Sequence, residues 1–208
     1  MRDAACARPS RASKLRRAVS LRPLRVLLLL ALGAASVLAL AGCGNKVEIR
    51  TEAKTEGVYI DVGELKYQVQ LSRIINPNDE EDRSYLAGLP AGTVPPGSDE
   101  AWFGVWMRVQ NVTSKKTLTA ADDFEIVDTQ EHSFTPIELE NNPFAYAAQE
   151  LPPKTVVPTP TSPAGEGVIQ GSLILFKLTT EALANRPLEF KIKSPALPDD
   201  VGIVDLDV

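Results

Sequence analysis

Glu100-Ala101-Trp102-Phe103-Gly104-Val105-Trp106-Met107-Arg108-Val109-Gln110-Asn111 is the stretch that decides how this chain folds. Phe103, Val105, Met107 and Val109 fall on one side of an extended backbone, and Trp102, Gly104, Trp106 and Arg108 on the other, the two-residue period of a strand. Asn111-Val112-Thr113-Ser114-Lys115-Lys116 then reads as a turn. The alternation recurs on both sides of this stretch. Leu65, Tyr67, Val69 and Leu71 oppose Lys66, Gln68, Gln70 and Ser72, and Asn76-Pro77-Asn78-Asp79 ends that strand. Leu188, Phe190 and Ile192 alternate with Glu189, Lys191 and Lys193, and Val204, Leu206 and Val208 alternate with two aspartates.

The intervening segments add three more strands. Phe124 to Asp128 and Ser133 to Leu139 read as a hairpin around Thr129-Gln130-Glu131, with Pro136 placing the second arm at an edge or a bulge. Val168 to Leu178 is nearly continuous in apolar residues and is predicted to be the central strand. A short helical turn is predicted at Thr180 to Ala184. Asp79 to Glu100 reads as a long loop with at most a turn at Tyr85 to Leu89. Residues 141–166 are irregular, and five prolines between Pro152 and Pro163 make that part extended and stiff. Seven or eight short strands without a strong helix predict an all-β fold, an immunoglobulin-like antiparallel β-sandwich over residues 57–208.

The N-terminal part has a different character. The first 25 residues carry Arg2, Arg8, Arg11, Lys14, Arg16, Arg17, Arg22 and Arg25 against a single acid, Asp3. Val26 to Ala41 (VLLLLALGAASVLALA) is free of charge and too short for a comfortable membrane span. This is the order of a signal peptide, a basic segment and then an apolar helix. Leu40-Ala41-Gly42-Cys43 follows directly, and it resembles the lipobox of bacterial lipoproteins. The resemblance implies a diacylglyceryl group on the Cys43 thiol, cleavage before Cys43, and a palmitate-type anchor. Two or three acyl chains, at ~0.8 kcal/mol per buried CH₂, hold a protein on a membrane almost permanently. Residues 1–42 are therefore expected to be the lipoprotein signal peptide and residues 43–56 a flexible lipidated tether. The expected location is the outer face of the cell membrane.

Charge and cysteine content narrow the function classes. Residues 1–42 hold eight of the 22 basic residues and one of the 27 acidic ones, so the remaining 166 residues carry 14 against 26, a net charge of −12. Such a surface repels phosphate backbones, and nucleic-acid binding is not expected. Cys6 leaves with the signal peptide and Cys43 is acylated, so neither a disulfide nor a thiolate nucleophile is expected. His132 is the only histidine, and zinc, copper and haem sites of the usual kinds lack ligands. No cofactor, metal or enzymatic activity is expected.

Three constellations invite chemistry. His132 stands between Glu131 and Ser133, but neighbours on a hairpin do not supply one another with triad geometry, and a solvated turn histidine is the expectation. Asp79-Glu80-Glu81-Asp82 offers oxygen ligands of the kind calcium takes, without EF-hand spacing. Asp123 and Glu125 are spaced along a strand, which does not establish the shared cleft that paired-carboxylate hydrolysis needs. The best binding candidates are Trp102, Trp106 and Arg108 on one strand face, with Phe144 and Tyr146 nearby. Uncovered, the two tryptophans form an aromatic shelf for a sugar, a peptide or a partner side chain. The alternatives are that the proline-rich segment and Phe144-Ala145-Tyr146 cover them, or that they belong to the core.

The stretch from Glu100 to Asn111, Phe124 with Asp128, and Gly171 to Ile192 (GSLILFKLTTEALANRPLEFKI) resemble an immunoglobulin-like domain of unknown function found on exported actinobacterial lipoproteins. The resemblance covers residues 58–193 and implies a sandwich on the envelope, with no catalytic residues to carry over. The expected function is a membrane-anchored, non-enzymatic binding module for a protein, peptide or glycan ligand, which predicts an exposed aromatic patch or a groove. A passive structural lipoprotein is the alternative, and two buried tryptophans under a smooth polar surface favour it. A calcium-dependent module or a hydrolase needs carboxylates converging in one cleft.

Overall fold

A computed structural model describes residues 48–197 and 199–207. The expected signal peptide, Cys43, the first part of the expected tether and Val208 lie outside the described residues. Seven longer strands carry the fold: β2 (Tyr59–Val62), β3 (Leu65–Ile75), β4 (Glu100–Gln110), β6 (Asp123–Val127), β10 (Ser172–Thr179), β11 (Leu188–Lys193) and β12 (Val201–Leu206). Five strands of two residues join them: β1 (Glu52–Ala53), β5 (Leu118–Thr119), β7 (Ser133–Phe134), β8 (Glu150–Leu151) and β9 (Val156–Val157). One layer is ordered β10-β4-β3-β2, with β9 continuing along β4, and the other β1-β12-β11-β6-β7. β5 and β8 form a separate pair. All pairings are antiparallel except β1 with β12.

The chain is thus an all-β, immunoglobulin-like β-sandwich, with its main strands divided four and three. The third of the seven stays in the four-stranded layer and the fourth crosses to the other, the reverse of the constant-type immunoglobulin arrangement. Between the layers lie Tyr67, Phe103, Met107, Phe176, Phe124 and Phe190, all buried. Phe124 stacks on Phe190 at 5.7 Å, and Phe176 meets Phe190 edge-on at 6.2 Å. Each such side chain stabilises the fold by about 1.5–3 kcal/mol on burial. The unit from Glu48 onward holds this core and every strand pairing among its own residues, so it has what a domain needs to fold alone.

Four expectations change. The register of β3 against β4 shifts between Val69, opposite Met107, and Leu71, opposite Trp106. This β-bulge moves Leu71 to the outer face and buries Ser72, so the strand runs to Ile75 with its alternation inverted. Glu56 answers the change by accepting hydrogen bonds from the Ser72 N–H at 3.1 Å and the Ser72 hydroxyl. Secondly, β10 is the last strand of its layer, not a central one. Its continuous apolar run exists because Ile174, Phe176 and Leu178 face the main core while Leu173 and Leu175 face a second one.

Thirdly, the predicted second hairpin arm stops at Phe134. Pro136 donates no ladder hydrogen bond. The chain crosses to the other layer, where the Ile137 N–H donates to the Leu175 carbonyl at 2.7 Å. Fourthly, residues 50–56 belong to the sandwich, whereas a tether was expected to continue through residue 56. Arg50 exchanges hydrogen bonds with Asp61 of β2, and β1 pairs with β12. A two-residue strand is too short to leave a period in the sequence.

Three short helices complete the unit. α1 (Glu80–Tyr85) is capped by Asp79, whose carboxylate accepts from the N–H groups of Glu81 and Asp82. α2 (Pro163–Glu166) is capped by Ser162 and has proline in its first turn. α3 (Thr180–Ala184) lies where the helical turn was predicted, capped by Thr179. No described helix is long and apolar enough to cross a membrane.

Candidate functional site

Trp102 and Trp106 do not form a shelf. They do share the outer face of β4, but Trp102 is 3% and Trp106 1% exposed, within a second core that includes Ile75, Tyr85, Leu173 and Leu175. The cover comes from two segments whose sequences show no strand period. Tyr85 of α1 meets the Trp106 ring edge-on at 5.2 Å, and Phe144 meets Tyr85 at 5.1 Å. The Arg73 guanidinium lies 5.2 Å from the centre of the Trp106 ring, a cation–π contact. The Trp106 indole N–H has no hydrogen-bond partner. Packing and Arg73 therefore hold this ring.

The cover is itself tied down. Arg73 donates two hydrogen bonds to Asp82 at 2.9 and 2.5 Å, and the Asn76 N–H donates to the same carboxylate at 2.8 Å. These bonds, Arg73's above all, hold the Asp82 carboxyl below its ordinary range against the opposing effect of burial. The Asn142 amide donates to the carbonyls of Ser84, Tyr85 and Ala87, joining the α1 segment to the 135–148 segment. At Gly88 φ is +79°, and an added Cβ would lie 1.9 Å from the Glu140 carbonyl oxygen, so only glycine fits this crossing. Of the acidic run at residues 79–82, Asp79 is thus engaged in capping the helix and Asp82 in holding Arg73.

Arg108 follows Trp106 on the outer face and is half-buried. Of the other two candidates, Phe144 joins the tryptophan cluster, whereas Tyr146 packs against the main core. The structure therefore brings Trp102, Trp106 and Phe144 together and separates Tyr146 from them.

Tyr146 belongs to an arrangement that sequence reasoning missed. Its hydroxyl donates to the Ala121 carbonyl at 2.7 Å, while the Ala121 N–H donates to the Tyr67 hydroxyl at 2.8 Å. Burial pushes the Tyr67 hydroxyl up to about 12 and raises Tyr146 as well, so both phenols stay neutral. This clamp fixes the crossing into β6 and presents the next residue, Asp122, at a cavity of about 390 Å³. The cavity lies along the side of β10 away from β4, with residues 173–175 on one wall and residues 136–139 and 145–148 on the others. Its walls come from four separate stretches of chain. The apolar residues Ile137 and Leu139 after Pro136 were the available sequence signal, and they read as a hairpin arm.

His132 is oriented by an acid other than its neighbour. Its Nδ1 lies 2.9 Å from Oδ2 of Asp128, an oxygen that also accepts from the Asn185 amide at 3.0 Å. Asp128 accepts in addition from the N–H groups of Gln130 and His132, and its side chain is fully buried. Burial acts to raise the Asp128 carboxyl, but these hydrogen bonds outweigh it and hold the carboxyl well below its ordinary value. The hydrogen bond to Asp128 in turn raises His132. The Ser133 hydroxyl is bonded to Glu125 instead, so no hydroxyl is activated by the imidazole. Asp123 and Glu125 both lie near Lys193, as an ion-paired group on the outer face of β6. Asn111, at the end of the opening stretch, is buried and binds the Lys116 and Leu151 carbonyls at 2.8 Å each, locking the turn predicted there. No group of three His, Cys, Asp or Glu converges among the described residues.

No family model matches the chain, and no curated protein matches it. Several solved structures are similar to it, among them the following two. One is the yjhA protein from Bacillus subtilis, at a TM-score of 0.45 and 11% identity, covering 74% of this chain and 99% of that one. The other is an uncharacterized beta-sandwich protein from Clostridium difficile 630, at a TM-score of 0.40 and 10% identity, covering 79% of this chain and 99% of that one.

Proposed function

We propose that this protein is an exported lipoprotein, acylated on Cys43 and held on the outer face of the cell membrane, whose β-sandwich is a non-enzymatic binding module. The observation that carries the anchor is the order of basic segment, apolar run and Leu40-Ala41-Gly42-Cys43. The likeness of Glu100 to Asn111 and Gly171 to Ile192 to an immunoglobulin-like domain of exported actinobacterial lipoproteins supports the same location. The cavity beside β10 supports the binding role, because a concave site that combines apolar with polar lining suits a ligand. The triad-like group around His132 is in structural use: Asp128 and His132 hold the β6–β7 turn, and Ser133 is bonded to Glu125.

A second reading, a passive structural lipoprotein, is favoured by the burial of both tryptophans. Two experiments on cells address these claims. Labelling with an alkyne analogue of palmitate tags the wild type and leaves Cys43→Ala untagged, and a tagged Cys43→Ala protein overturns the anchor. A photo-crosslinking residue placed in turn at exposed Val94, Ala147, Val168 and Leu197 yields adducts from a binding module. A protein silent at all four positions is a passive one.

A further inference from the structure

The cavity beside β10 is selective in its chemistry. Asp122 and Glu138 stand at its margin, both exposed, and neither has a cationic partner within 4.0 Å among the described residues. No lysine, arginine or histidine lines it. Tyr146 supplies the only hydroxyl of its wall, and that proton is donated to the Ala121 carbonyl. The lining side chains therefore offer apolar surface and acceptors but no free donor, which favours a ligand group that donates.

We propose that this cavity is a binding site for an organic cation with an apolar body, an alkylammonium or guanidinium group seated between Asp122 and Glu138 with its carbon chain against Ile137, Leu139 and Ala147. The inference rests on the binding-module reading above and names the site and ligand class within it. Anions are repelled by the two carboxylates, and a sugar finds no free side-chain donor for its hydroxyl oxygens. The volume of about 390 Å³ is within the range of about 300–1,000 Å³ usual for small-molecule sites. The backbone leading into Asp122 is held in place, because the two tyrosines bind the N–H and carbonyl of Ala121 beside it, which lowers the backbone ordering cost of binding. The excess of acidic over basic residues after Cys43 adds long-range attraction for a cation.

The test is a titration of the isotope-labelled unit, residues 44–208, followed by amide NMR. The probes are n-hexylammonium chloride, 1-hexanol as the uncharged control, and the peptide acetyl-Leu-Lys-Leu-amide. Hexylammonium is expected to shift the amides of residues 137–139, 145–148 and 173–175 with a lower Kd than hexanol. The double variant Asp122→Asn/Glu138→Gln, which alters two unpaired surface groups, weakens it by about tenfold and leaves hexanol unchanged. Ala147→Phe blocks both probes by occupying the cavity. Tighter binding of the peptide than of the free amine assigns the site to a lysine of a polypeptide, and the opposite order assigns it to a small amine. Shifts scattered outside the cavity, equal affinity for hexanol, or an unchanged response in the double variant overturn the proposal. That failure concerns the site alone, since crosslinked adducts at Val94 or Val168 still carry the binding-module reading.

Discussion

Replacing Gly104 with alanine tests the second core. Gly104 lies in β4 directly beneath the Trp106 ring, and an added Cβ would stand 2.7 and 2.8 Å from its Cη2 and Cζ3 and 2.9 Å from Ile75 Cδ1. Favourable carbon contacts lie at about 3.5–4.0 Å, so ring, methyl or strand must move. Overpacking of this kind costs about 1–3 kcal/mol. Alanine in a strand recovers about 0.5–1 kcal/mol of backbone entropy relative to glycine. The expected net effect of Gly104→Ala is a destabilisation of about 1–2 kcal/mol. Urea unfolding of residues 44–208, read by far-UV circular dichroism, measures it. The clashing atoms belong to the six-membered ring of the indole, which Trp106→Phe removes. In that background the cost of Gly104→Ala falls, because only the terminal methyl of Ile75 still opposes the new Cβ, a coupling of about 1–2 kcal/mol. An equal cost in both backgrounds, or no cost in the wild type, refutes the packing of Trp106 on Gly104.

Further outcomes follow from the polar contacts. Asp82→Ala, which strips Arg73 and the Asn76 N–H of their acceptor, costs about 2–3 kcal/mol in the same unfolding experiment. The Asp82 carboxyl is held below its ordinary 3.8, so its contribution is present above that pH and is lost as pH falls through the folded value. Acid melts of Asp82→Asn accordingly show a flatter pH dependence below about pH 4 than the wild type does. Tyr67→Phe leaves the buried Ala121 N–H without an acceptor and destabilises by about 1–3 kcal/mol; Tyr146→Phe leaves its carbonyl short of one donor and costs about 1 kcal/mol. His132 is the only histidine, so its ring proton signal titrates without overlap, with a midpoint above the ordinary 6.5. Its stabilising interaction is complete below the unfolded pKa and is lost as pH rises through the folded one. Asp128→Asn returns the midpoint toward 6.5.

The legible parts of the fold are those where one face of a strand is wet. β11 and β12 show clean alternation because their outer residues meet solvent, and the inner face of β4 reads correctly as Phe103, Val105, Met107 and Val109. β10 misleads because both its faces are covered, which gives a continuous apolar run whether a strand is central or last in its layer. β3 is readable only as far as the bulge, since a single extra residue inverts every side chain after it. The fate of Trp102 and Trp106 is set by residues far off in sequence. Tyr85, Phe144 and the Asn142 bridge form their cover, and neither covering segment carries a period that announces it. The cavity is harder still to foresee, because Asp122, Ile137, Ala145 and Leu173 come together only through the crossing between layers that Pro136 begins.

The most direct test of the central claim is the mass of the N-terminal peptide of the protein extracted from cell membranes. This peptide is expected to begin at Cys43, with residues 1–42 gone and a diacylglyceryl group on the cysteine. A peptide beginning elsewhere, or one whose Cys43 bears a free thiol, would contradict it.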